Sequence, residues 1–183
     1  LIKGGAALKR LAQVDTVAFD KTGTLTLGKP QLTELTSLDG RPEVELLALA
    51  AAIEQGSHHP LARAVVAAAS EQGLTLATAS DLRALPGMGV EGRIVGTLWP
   101  LLAPSRVTTL DAAMQARIAA LEQQGKTVEV LGQPDAAPAA LLALRDQIRP
   151  EAAAALQQLN QLGLQSIMWT AFSIHTRSHE TIG

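Results

Sequence analysis

The chain has 183 residues, enough for one domain or two small ones, and its 47% hydrophobic and 17% charged content excludes a disordered segment. Its formal net charge is -2 (15 Lys+Arg against 17 Asp+Glu), with two Trp and two Phe, so neither phosphate neutralisation nor base stacking is provided for, and nucleic acid is excluded as a partner. The absence of cysteine removes disulfides, thiolate metal sites and cysteine nucleophiles together, and fits a reducing compartment.

In chain order, residues 1–13 form a short amphipathic stretch with Leu8 and Leu11 at helical spacing. The chain begins with Leu, which reads as a piece of something longer, and its first residues lack the basic head and apolar stretch of a signal peptide. Residues 14–19 are a compact apolar run ending sharply at Asp20-Lys21-Thr22-Gly23, as in a buried strand of a parallel sheet. Residues 24–26 and 31–38 read as extended, and Asp39-Gly40 as a turn.

Residues 43–55 are predicted to be an amphipathic helix with Leu46, Leu47, Ala50 and Ile53 on one face. Its apolar run, residues 46–53, is far short of the ~20 residues that cross a bilayer, so no transmembrane segment is expected. Ser57-His58-His59-Pro60 interrupts it, and Pro60 suits the first turn of a second helix reaching about Gln72. Residues 74–96 alternate around Pro86-Gly87-Met88-Gly89, as antiparallel strands do. A helix over 108–124, strands at 127–131 and 140–144, a helix opened by Arg149-Pro150-Glu151 and closed at Gly163, and a strand at 165–168 follow. Residues 171–183 read as a tail. The pattern is α/β, with an α+β lobe inserted between two sheet segments.

The most informative run is Asp20-Lys21-Thr22-Gly23-Thr24-Leu25-Thr26. Open α/β sheets place ligands at the carboxyl ends of their strands, where a carboxylate can attack a phosphoryl group. Lys21 and nearby N–H groups can offset charge on the transferring group. Asp20 and a neighbouring backbone carbonyl, assigned to Thr22, offer hard oxygen ligands for Mg2+. Two places after the nucleophile a phosphatase wants an acid/base carboxylate; Thr22 cannot serve, so an aspartyl phosphate should persist.

These seven residues resemble the phosphorylation signature of P-type ATPases. Leu1-Ile2-Lys3-Gly4-Gly5-Ala6-Ala7-Leu8 resembles the segment leading into their phosphorylation domain. Ser57-His58-His59-Pro60-Leu61-Ala62 resembles the His-Pro motif of the heavy-metal subgroup, and Gly87-Met88-Gly89 its Gly-x-Gly. Asp146-x-x-Arg149-Pro150-Glu151 is similar to the stretch where the chain re-enters the phosphorylation domain. With Glu54-Gln55-Gly56 ahead of His59-Pro60, the likeness is greatest to bacterial zinc/cadmium/lead exporters; copper exporters often carry Gly-Asn where Ala103-Pro104 stands.

The resemblance implies a haloacid-dehalogenase-like doubly wound phosphorylation domain, incomplete here, with an inserted α+β nucleotide-binding domain whose antiparallel sheet is flanked by helices. It implies boundaries of 1–33 and 143–170 for the former, 34–142 for the latter, and an unmatched tail at 171–183. It also implies ATP contacts at Glu54, His59, Gly87 and Gly89, with Glu54 accepting from the adenine amine. Taken singly, His59 reads as a helix-start histidine, Glu54 as a solvated helix charge, and Gly-Met-Gly as a hairpin turn. Mg2+ and ATP are the expected cofactors. The exported heavy-metal cation would cross through a membrane domain outside this chain, at the cytoplasmic face of which the chain would sit.

Two departures stand out. His58 replaces the usual acidic residue beside the nucleotide-binding His. Trp169-Thr170-Ala171-Phe172 lacks the Gly-Asp of the family's Thr-Gly-Asp, and nothing later matches. The chain is therefore expected to bind ATP but to turn it over slowly or not at all. Competing readings are a copper exporter, a soluble haloacid-dehalogenase-like phosphatase, and a nucleotide-binding module with Asp20 unused. His175 and His179, four apart in the tail, read as incidental.

Overall fold

The computed structural model describes Lys9 and residues 13–169, in two units. One comprises residues before Lys29 and from Gln147 onward; the other, Lys29–Asp146, is inserted between them. In the first, strand β1 (Thr16–Asp20) runs parallel to β8 (Gln165–Trp169), with Asp20 paired to Trp169. Helix α4 (Ala152–Gln161) precedes β8, as a parallel crossover requires. Residues 149–151 form a turn ahead of α4 and lie outside the helix predicted to open there.

The inserted unit holds a six-stranded sheet in the order β2-β7-β6-β5-β4-β3. Its strands are β2 (Thr26–Ser37), β3 (Ala79–Leu85), β4 (Gly89–Ile94), β5 (Thr97–Leu102), β6 (Thr127–Leu131) and β7 (Ala140–Ile148). Neighbouring strands from β3 to β7 pair antiparallel. Helices α1 (Glu43–Glu54) and α2 (Pro60–Glu71) cover one face, and α3 (Ala112–Gln123) the other.

Both faces are apolar, which explains the uninterrupted run in β7: Ala140, Leu141, Leu142, Ala143 and Leu144 are all buried. Leu46, Ala50, Ile53, Val65, Leu101, Leu131 and Leu142 form the larger core; Ile118, Leu121, Val128, Val130 and Leu141 form the smaller. Each such Leu or Ile contributes about 1.5–3 kcal/mol by leaving water. At the margin of the larger core, Trp99 is 5% exposed with the Arg41 guanidinium 4.8 Å from its ring centroid.

Two further local expectations change. Residues 24–26 are not simply extended: Lys21–Leu25 form a π-helical turn, and β2 then runs unbroken through Ser37. The helix predicted over 108–124 begins at Ala112, because the Asp111 carboxylate accepts the Met114 N–H at 2.7 Å and caps it there. Strand β5 occupies residues for which the sequence suggested no element, and it carries Pro100, a residue usually kept out of strand interiors. The proline is tolerated because β6 pairs only with Leu101 and Leu102, beyond which the Pro100 carbonyl accepts the Gly132 N–H.

Candidate functional site

Asp20 is the last residue of β1, exposed at the carboxyl end of the parallel pair. The turn that follows is held at several points. Gly23 adopts φ +79°, a conformation few side chains tolerate, and its N–H donates to Thr26 Oγ1 at 3.1 Å. Thr26 is itself 2% exposed. Arg149 Nη2 donates to the Gly23 carbonyl at 3.1 Å, and the Arg149 N–H to the Leu25 carbonyl at 2.9 Å. Residues 126 apart in sequence thus fix the backbone beside Asp20.

An exposed carboxylate on a braced loop can serve as a nucleophile or as a hard oxygen ligand. Among the described residues no cluster of three or more His, Cys, Asp or Glu stands ready for a metal. That donor set suits Mg2+, which keeps several waters and takes one or two carboxylates plus substrate phosphates. The backbones of Lys21 and Thr22 lie in the π-helical turn; their side chains are outside the described residues. The tail histidines and residues 170–183 lie outside them as well.

In the inserted unit, Glu54 ends α1 and is 5% exposed. It is not a solvated helix charge: burial pushes its carboxyl up to about 7. The α1–α2 connection that follows borders an open groove of about 430 Å3, lined in part by Glu54, Ser57, Arg63 and Ser70. His59 is exposed and caps α2, its Nδ1 accepting the Leu61 N–H at 3.3 Å. Pro60 occupies the first helical position, where its missing N–H is harmless.

Gly87 lies in the β3–β4 turn and Gly89 opens β4. Gly87, at φ +69°, has open space where a Cβ would stand. At Gly89 a Cβ would lie 2.1 Å from the Leu101 carbonyl oxygen and 2.9 Å from Leu102 Cα, so the approach of β5 already requires glycine there. Sequence reasoning missed Glu129. It sits on β6, its Oε2 buried without a hydrogen-bond partner, and burial followed by the charge of Glu54 pushes it up to about 7. The signal lay in one acid set among Val128, Val130 and Leu131, and alternation puts it on the face of Leu131.

Comparison with known proteins adds the following. A family described as haloacid dehalogenase-like hydrolase matches residues 14–179. A zinc/cadmium/lead-transporting P-type ATPase of Shigella sonnei is 44% identical over 170 residues, covering 93% of this chain and 23% of the relative. A copper-transporting P-type ATPase of Rhizobium leguminosarum bv. viciae is 42% identical over 173 residues, covering 93% and 20%. The crystal structure of a zinc-transporting PIB-type ATPase in its E2.Pi state superposes with a TM-score of 0.67 at 43% identity, covering 92% of this chain and 27% of that one. The chain thus spans about a quarter of the length of the relatives it matches.

Proposed function

Because the chain belongs to the haloacid dehalogenase-like hydrolase family, with heavy-metal P-type ATPases as its relatives, we propose that it is the ATP-binding and phosphoryl-accepting portion of an ATP-driven heavy-metal exporter. The cation class is that of zinc, cadmium and lead; copper competes, since a copper-transporting relative matches almost as well. The residues before Lys29 and from Gln147 onward belong to the phosphorylation domain and Lys29–Asp146 is the nucleotide-binding domain, a few residues wider at each end than the 34–142 expected from the sequence. The cation passes through a membrane part beyond this chain, which works at the cytoplasmic face; among the described residues no helix is long and apolar enough to span a bilayer.

The observation that carries this reading is the exposure of Asp20 at the carboxyl end of a parallel strand, beside a backbone tied down by Arg149 and Thr26. A carboxylate oxygen of Asp20 attacks the γ-phosphorus, the bond to the bridging oxygen breaks, and ADP leaves with that electron pair. Fixing the loop beforehand lowers the ordering required to reach an in-line geometry. Lys21 offsets negative charge on the transferring group. Thr22 supplies no general base, so the acyl phosphate outlives the transfer. Asp20 and the Thr22 carbonyl would hold Mg2+, which supplies charge neutralisation at the phosphates.

Glu54 accepts from the adenine amine, His59 flanks the base, and the Gly87–Gly89 turn lets the nucleotide approach the backbone. Calorimetric titration of the chain with ATP tests this assignment. Glu54→Ala is expected to weaken binding roughly tenfold, the worth of one hydrogen bond to a charged group. Unchanged affinity refutes the pocket. Gly89→Val is unsuitable as a probe, because its side chain would strike the β5 backbone whatever the ligand does.

A further inference from the structure

Strand β6 carries one acid, Glu129, partly buried among apolar neighbours with its Oε2 enclosed. Val128 and Val130 pack with Ile118 and Leu121 under α3, while Leu131 belongs to the core on the α1 side. Side chains alternate along a strand, so Glu129 shares the α1 side with Leu131. Continuing the Leu102–Val130 pairing by one residue sets Glu129 beside Ala103. The Ala103 N–H in turn donates to the Met88 carbonyl at 2.8 Å, within the Gly87–Gly89 turn. Glu129 therefore stands in the cross-strand row that ends at the glycine motif, and Glu54 reaches the same side of the sheet from the end of α1.

Glu129 Oε2 is buried without a hydrogen bond, and Glu54 is 5% exposed, its carboxyl pushed up by burial. Around Glu129, β7 offers Leu142, β5 offers Ala103, and α1 brings Glu54. The cation of α3 and the one ahead of β6, Arg117 and Lys126, are both engaged by Glu34; Glu122 of α3, an acid, is itself pushed up by burial. Arg63 of α2 borders the groove that Glu54 also lines, but no cation lowers either carboxyl, and two neighbouring acids so placed are tolerable when one keeps its proton. A carboxylic acid beside a carboxylate then presents one donor and one acceptor.

Adenine presents the complement, an exocyclic amine donor flanked by ring-nitrogen acceptors. We propose that Glu129 is a second base-reading residue of the nucleotide pocket, donating its carboxyl proton to the ring nitrogen beside the adenine amine while Glu54 accepts from that amine. This rests on the assignment of Glu54 to the ATP site. The proton on Glu129 is retained in the complex, so binding weakens as pH rises and that proton is lost. Hypoxanthine carries a carbonyl in place of the amine and a protonated ring nitrogen beside it, so it meets this pair with donor and acceptor reversed.

The test is calorimetric titration of the whole chain with ATP and with ITP, at about pH 6 and about pH 8.5. Wild type is expected to bind ATP roughly tenfold or more weakly at the higher pH, the consequence of losing one required proton. Glu129→Gln keeps an N–H donor that does not titrate, so its ATP affinity should be nearly level across that range. Glu129→Leu should bind weakly at both pH values and lose the preference for ATP over ITP. Thermal melts verify that each variant is folded, and the near-isosteric Gln variant keeps the test decisive if the Leu variant misfolds. A Glu129→Gln protein that retains the wild-type pH slope overturns the proposal. If Glu54→Ala loses ATP while the Glu129 variants bind as wild type does, this inference alone fails. If Glu54→Ala binds ATP unchanged, the underlying pocket fails with it.

Discussion

Glu34 on β2 and the Glu54–Glu129 pair on the α1 side are carboxyl sites of one sheet treated in opposite ways. At Glu34, burial pushes the carboxyl up, but hydrogen bonds and charge from Lys126 and Arg117 outweigh it and hold the group below the usual carboxylate range. Lys126 Nζ stands 3.2 Å from Oε2, and Arg117 grips Oε1. At Glu54 and Glu129, burial acts with no cation against it, and both are pushed up to about 7. The first site is complete within the fold. The second imposes a desolvation penalty that no cation offsets, and acids raised in this way cluster at functional sites.

The sharpest way to break this contrast is to neutralise the uncompensated pair. Replacing Glu54 and Glu129 together by Gln should stabilise the chain at pH 8 by several kcal/mol, since each carboxyl is raised from 4.5 to about 7 and one unit is worth about 1.4 kcal/mol. A raised carboxyl binds its proton more tightly in the native than in the unfolded state. Wild-type stability from these groups is therefore fully present below about pH 4.5 and lost as pH climbs through about 7. The advantage of the double variant should grow across that window and then level off. Urea melts over pH would read it, and a constant difference would show that the two acids are not the titrating groups.

Removing the compensated acid should act in the other direction. Glu34→Ala leaves Lys126, 13% exposed, and Arg117 without their partner, and is expected to destabilise by about 1–2 kcal/mol at neutral pH. Because the carboxyl is lowered, its contribution is present above pH 4.5 and fades as pH falls through its native value, so wild type and variant should converge in acid. Equal loss at all pH values would make the effect one of packing. The smallest change is expected at Asp39, which pairs with Arg41 at 2.6 Å on the surface. Asp39→Asn should cost less than about 1 kcal/mol, and a larger drop in the thermal midpoint would mean that Arg41 depends on Asp39 to stay over Trp99.

Much of this architecture was legible in the residues. The helical spacing of Leu46, Leu47, Ala50 and Ile53 placed α1, Pro60 placed the start of α2, and the apolar run ending in Asp20 placed β1. Signals failed where a distant partner overrides a local preference. The turn over Lys21–Leu25 is held by Arg149, remote in sequence, and no propensity encodes that contact. Pro100, a residue that strand interiors usually exclude, sits in β5 because neighbouring strands complete the pairing around it.

By itself, the sequence determined which chemistry was available. A strand-end Asp20, a threonine two places on, and the ordered His-Pro and glycine motifs carry their meaning in residue type and spacing, because nucleophilicity and backbone freedom are local properties. Only the tertiary structure decided which acids are charged. Glu34, Glu54 and Glu129 look alike as letters, and what separates them is whether the fold brings a cation or another carboxylate into the same dehydrated space.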